Sequence, residues 1–244
     1  MKTAVFVEGQ TELILIREML LRHFAYQEVS IACYTLFSDN KLNATDYSFP
    51  APNEFAETHF QIINVGGDNA VLTRLLNREQ ELINAGYDLI LGLRDMFSEN
   101  YIKIVKDRTI KKEISDKFID GHNQQIRSKA TRPESIRFHF AVMEAEAWFL
   151  GMPEALTRMD NRLTAEYIEE HRKYNIDEID PETEFFHPAN EVKAIYELVG
   201  RRYDKSKGDI DQLVNQVTKE DYETLDSGEK CESFSSFYKS LVQR

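Results

Sequence analysis

The chain has 244 residues, 42% hydrophobic and 11% aromatic, with a formal net charge of −12. That is enough apolar material for one sizeable domain, or one domain with an appendage, and too much for a disordered chain. The charge argues against indiscriminate binding to polyanions but leaves room for a local basic groove. Glu8, Glu12, Arg17 and Glu18 interrupt the first twenty residues, and no stretch approaches the roughly 20 apolar residues that span a bilayer. A cytoplasmic protein without a membrane segment is expected. Cys33 and Cys231 stand far apart, without a CxxC, so neither a disulfide nor a structural zinc site is expected.

In chain order, "TAVFV" reads as a buried strand. Residues 11 to 24 follow as a helix with Leu13, Ile16, Leu20 and Phe24 on one stripe. "VSIACYTL" (29 to 36) is a second strand, Phe37 to Thr58 an inserted polar excursion, and "HFQIINV" (59 to 65) a third strand. "GGDN" (66 to 69) suits a close turn into a helix from about Ala70 to Asn84, closed by Gly86. "YDLILGL" (87 to 93) is a continuous apolar run, as in a strand buried on both faces. A charged helix over about 100 to 118 is predicted next, then a polar loop with Gly121 and Pro133, then the strand "IRFHFAV" (136 to 142). Strands alternating with helices predict an α/β fold whose mainly parallel sheet is flanked by helices. After Gly151 and Pro153 the pattern changes to polar helices near 164 to 173, 190 to 202, 208 to 224 and 231 to 243. An α/β domain over 1–150 and a helical C-terminal region over 151–244 are therefore expected.

In a parallel sheet, ligands bind beside the carboxyl ends of the strands. Glu8 follows the first strand, Asp95 the "YDLILGL" strand, and Glu144 and Glu146 the "IRFHFAV" strand, so three strand ends deliver carboxylates to one side. Mg2+ takes oxygen ligands and often only one or two carboxylates, leaving water and substrate phosphate to complete its shell. Such a cluster suits activation of water against a phosphodiester. Each acid also has a plainer role: Glu8 or Asp95 as a helix cap, Glu144 and Glu146 as one exposed face of a strand end, since residues two apart point the same way. Cations cluster at Lys103 to Lys112, at Arg127, Lys129, Arg132 and Arg137, and at Arg201, Arg202, Lys205 and Lys207.

"VFVEGQTE", with Glu8, Gly9, Thr11 and Glu12, resembles the opening motif of TOPRIM domains, closest to OLD-type nucleases and small stand-alone TOPRIM-like proteins of unknown function. "NVGGDNA", with Gly66 and Gly67, resembles the family's glycine turn, "LILGLRDMF" its acidic motif, "FAVMEAEAWFL" the E-x-E-A segment, and "CESFSSFYKSL" the closing signature of the stand-alone proteins. The resemblance covers most of the chain. It implies a Mg2+ (or Mn2+) site acting on nucleic acid, DNA rather than RNA, with Glu8 as general acid/base or ligand, Asp95 as ligand, and Glu144 and Glu146 as further ligands or orienters of metal-bound water. Glu12, Gly9, Gly66, Gly67 and Glu99 would support the site. Arg127, Lys129, Arg132, Lys193, Arg201, Arg202 and Lys205 would contact phosphate, Lys193 as the one match to the family's basic motif after a proline. An ATPase partner and a role in anti-phage defence are implied as well. The family's usual Asp-x-Asp is broken, because Phe97 stands two residues after Asp95. A non-catalytic module binding nucleotide, nucleic acid or a protein partner is the alternative.

Overall fold

Lys2–Val7 alternates nowhere, and five of its six residues are buried, as a central strand covered on both faces requires. This strand, β1, leads through Gly9 into helix α1 (Gln10–His23). The computed structural model describes residues 1–37, 40–49, 51–67, 70–204 and 208–242. Strands β2 (Ser30–Leu36), β3 (Leu42–Ala44), β4 (His59–Asn64), β5 (Leu89–Asp95) and β6 (Ile136–Ala141) complete a six-stranded sheet of order β3-β2-β4-β1-β5-β6. β1, β2, β4 and β5 run parallel, with Val7 level with Asn64 and with Leu93. β3 is antiparallel to β2 and lies inside the excursion that the sequence reads as loop.

The chain divides into two compact units that interleave in sequence rather than parting at residue 151. Unit 1 comprises residues 1–94, 116–140 and 240–244; unit 2 comprises 95–115 and 141–239. In unit 1, helix α2 (Val71–Asn84) buries Val71, Leu72, Leu75 and Leu82, and Gly86 after it takes φ +81°, the left-handed conformation that glycine adopts without a Cβ penalty. Gly92 in β5 is required for a different reason. A Cβ there would stand 2.4 Å from the Phe138 ring and 3.2 Å from Leu75.

The predicted charged helix over 100 to 118 is two helices, α3 (Glu99–Ile104) and α4 (Lys112–Lys129), separated by a break in which Arg108 takes φ +54°. α4 continues through Gly121, where a loop is predicted from sequence. Its His122 ring packs on Phe138 and Phe140, at centroid distances of 5.0 and 4.8 Å, which fixes the helix against β6.

Unit 2 is helical: α5 (Glu146–Leu150), α6 (Pro153–Met159), α7 (Ala165–Arg172), α8 (Pro181–Glu184), α9 (Pro188–Leu198), α10 (Asp209–Gln216), α11 (Lys219–Ser227) and, up to Lys239, α12 (Glu232–Val242). The helix predicted over 208 to 224 is interrupted at Val217 and Thr218. There Thr218 Oγ1 accepts from the Asp221 N–H at 3.3 Å while Asp221 Oδ2 accepts from the Thr218 N–H at 2.6 Å, a reciprocal cap that starts a new helix. Among the described residues, no helix is long and apolar enough to cross a membrane.

The core of unit 2 is built on Trp148, which has no exposed surface. Its ring lies 5.4 Å from Phe234 and 5.8 Å from Phe237, and its indole N–H donates to Glu182 Oε1 at 2.9 Å. Ser233 adds its N–H to Glu182 Oε2 at 3.1 Å and its hydroxyl to Oε1. Burial outweighs these donors and raises the Glu182 carboxyl from 4.5 to about 7, with Asp180 contributing in the same direction. A group whose pKa is raised on folding stabilises the protein fully below its unfolded value, and that stabilisation is lost as pH rises through the folded one. Thermal denaturation across pH 4.5 to 7.5 is therefore expected to show a Glu182-dependent loss on the order of 3 kcal/mol toward the alkaline end. The Glu182→Gln variant should lack this slope, and an unchanged slope would refute the assignment.

Candidate functional site

The carboxyl ends of β1, β4 and β5 lie at one edge of the unit 1 sheet, and Glu8 leaves that edge after Val7. Glu8 is half-buried. It does not cap α1: Gly9 is the N-cap residue, and Glu12 Oε2 accepts the Gly9 N–H at 2.8 Å. Glu12, 4% exposed, is thus a capping carboxylate in the first turn, a local structural task that accounts for its place in the motif. The glycine turn has an equally local role. Gly66 takes φ +72°, and the Gly67 N–H donates to the Glu8 carbonyl at 3.0 Å while the Val65 N–H donates to Val7 at 3.0 Å. The Gly66–Gly67 turn therefore fixes the backbone that carries Glu8. Asp68 and Asn69 of the same motif lie outside the described residues.

In unit 2, Asp95 is 8% exposed and its Oδ1 accepts the Ala145 N–H at 2.9 Å. The segments after β5 and β6 run side by side in the same direction, through Met96 N–H to Ala141 carbonyl at 2.9 Å and Phe97 N–H to Met143 carbonyl at 2.8 Å. Met143 is buried at φ +62°, a left-handed conformation that costs a non-glycine residue on the order of 1–3 kcal/mol. This kink ends the extended run and turns the Ala145 N–H onto Asp95. Asp95 accordingly caps the start of α5, not the helix next to it in sequence.

The kink also separates the two glutamates that alternation predicts on one face. Glu144 Oε2 accepts the Ala189 N–H of α9 at 2.9 Å and lies 3.9 Å from His187 Nδ1. Burial and the charge of Arg108 hold the His187 ring below the usual histidine range. Glu146 belongs to α5, has no exposed surface, and its Oε1 accepts the Tyr203 hydroxyl at 2.9 Å. The plainer alternative, one exposed strand-end face, therefore does not hold for Glu146.

Phe97, at the position of the second acid of Asp-x-Asp, packs its ring 3.9 Å from His187 and 5.7 Å from Phe186. Glu99 does not replace the missing acid: it is exposed in the first turn of α3 and pairs with Lys103 at 3.3 Å. Among the described residues, no three His, Cys, Asp or Glu side chains converge as a ready cage for a metal ion. The donors present are hard carboxylate oxygens, the type Mg2+ takes one or two at a time with water and substrate completing its shell.

The predicted phosphate contacts fall into two sets. Arg127 and Lys129 lie exposed on α4, and Arg132 is exposed beyond it, with its backbone N–H bonded to Glu79 Oε1 at 2.6 Å. In unit 2, Lys193 and Arg202 are exposed, whereas Arg201 is half-buried and donates to the Met159 carbonyl at 2.6 Å. Lys205 and Lys207 lie outside the described residues.

No family model, curated protein or solved structure matches the chain. The site is therefore read from its own chemistry. His187, Tyr203 and Met143 are members of it that the sequence reading omits. Only His187, directly before Pro188, carries a sequence signal that points to it.

Proposed function

We propose that the chain is a Mg2+-dependent nuclease of the TOPRIM type that hydrolyses phosphodiesters, of DNA in preference to RNA. The observation that carries the reading is the Asp95–Ala145 contact, in which a strained residue, Met143, is held so that a nearly buried carboxylate at a strand end has a fixed direction. Asp95 and Glu144 would hold the ion, which supplies charge neutralisation at the phosphate and a more acidic bound water. As the resemblance implies, Glu8 would serve as general acid/base: a water oxygen bonds to phosphorus as its proton passes to Glu8, and the P–O bond to the leaving strand breaks with that oxygen taking a proton from solvent water. Glu146, buried against Tyr203, acts by positioning α5. The resemblance alone supports an ATPase partner and a role in phage defence.

Phe97 favours a second reading, a non-catalytic module that binds nucleic acid or a protein, because an aromatic ring tilted against His187 occupies the place of the second acid. Incubating linear and supercoiled DNA and RNA with the protein in Mg2+, Mn2+ or chelator separates the two. The nuclease reading expects metal-dependent cleavage that Glu8→Ala abolishes. Cleavage equal in wild type and Glu8→Ala, or none under any condition, contradicts it.

A further inference from the structure

In unit 2, α9, residues 202–204 and Asp209 at the start of α10 line an open cleft of about 940 Å³. Lys193 and Arg202 both line it. Among the described residues no hydrogen bond or ion pair engages either cation, whereas Arg158, Arg162, Arg172 and Arg201 of the same unit are each committed to an acid or a carbonyl. An unpaired cation can meet a phosphate without first losing a partner.

The wall of the cleft adjoins the candidate acids. Ala189, whose N–H holds Glu144, and Tyr203, whose hydroxyl holds Glu146, are both lining residues. Asn190 adds a carboxamide suited to sugar or base edges.

We propose that this cleft seats a single-stranded stretch of nucleic acid, with Lys193 and Arg202 each contacting one phosphate. Size is the first argument: sites of roughly 300–1,000 Å³ hold ligands of small-molecule dimensions, so this one takes a nucleotide or a few, not a duplex. Charge is the second. Glu197, Asp204 and Asp209 also line the cleft, and Asp209 Oδ2 is bonded to the Asp204 N–H at 2.7 Å. Duplex DNA carries a charge about every 1.7 Å of axis, twice the density of one strand, so these acids repel a duplex more strongly. A flexible single strand can direct two phosphates to the cations and keep the rest away.

The proposal rests on the nuclease reading only in treating the bound strand as substrate. Its test is fluorescence anisotropy of a labelled single strand of roughly ten nucleotides, and of a duplex of equal length, in chelator so that no cleavage occurs. Single-strand binding stronger than duplex binding is expected, with a slope of log K against log salt of about −1.4 for two contacts. Lys193→Ala and Arg202→Ala should each weaken binding several-fold and reduce the slope by about 0.7, while Lys219→Ala, removing an exposed lysine paired with Glu223, should not. Circular dichroism would confirm that the exposed-site variants remain folded. Equal duplex binding, no single-strand binding, or wild-type binding by both variants overturns the proposal. Binding without cleavage in Mg2+ retires the nuclease reading and leaves the cleft assignment standing; cleavage with unchanged binding in both variants retires the cleft alone.

Discussion

Asp95→Asn is expected to lower Mg2+-dependent cleavage by roughly 10²–10³-fold, the loss typical of removing one preorganised electrostatic contact to a reacting group. The asparagine keeps an oxygen to accept the Ala145 N–H, so the cap on α5 and the Met143 kink persist while the negative charge is lost. Asp95→Ala is a poorer test, because a buried N–H left unpaired costs about 1–3 kcal/mol and lost activity would then mix chemistry with unfolding. The result is read as initial cleavage rate at saturating metal, beside a melting curve. An Asn variant that cleaves at the wild-type rate removes Asp95 from the mechanism.

Trp148→Ala should have the largest effect on stability, a loss of about 3–5 kcal/mol, as for other buried tryptophans truncated to alanine. Two costs add. The edge-on contact to Phe234 and the stacked contact to Phe237 vanish into a cavity, and Glu182, a buried carboxylate, loses its indole donor. Trp148→Phe separates them: it retains most of the packing and gives up the hydrogen bond, so a loss of about 1–3 kcal/mol is expected. Denaturant melts at constant pH measure both. Equal losses in the two variants would show that the Glu182 contact, not the ring volume, dominates.

Asp95 also marks what the sequence makes legible. The β1–α1 unit, the parallel strands and α2 follow from apolar runs and helical spacing, and the end of α2 follows from Gly86, because each signal lies within one element. Asp95 reads as a strand-end acid, but its partner Ala145 lies 50 residues away, and the contact depends on Met143 adopting a conformation for which methionine carries no signal. That one kink is why alternation fails for Glu144 and Glu146. α4 is hidden by Gly121 and by a largely polar sequence with few buried positions, Ser115 and Ile126, the first of which is paired with the Tyr101 hydroxyl of α3. The break before α4 is hidden too, since nothing in "VKDRTIKK" forbids a helix until Arg108 is seen at positive φ. The roles of Glu12 and Arg201 as local structural groups likewise depend on a partner, Gly9 or Met159, that spacing alone does not single out.

The claim that this chain carries a divalent-metal site is tested most directly by titrating Mn2+ into metal-free protein and counting bound ion by electron paramagnetic resonance, with no nucleic acid present. Saturable binding to the wild type, competed by Mg2+ and weakened about tenfold or more in Asp95→Asn, a loss of about 1.4 kcal/mol, is the predicted result. Binding of equal strength by wild type and Asp95→Asn, or no saturable binding by either, contradicts the account.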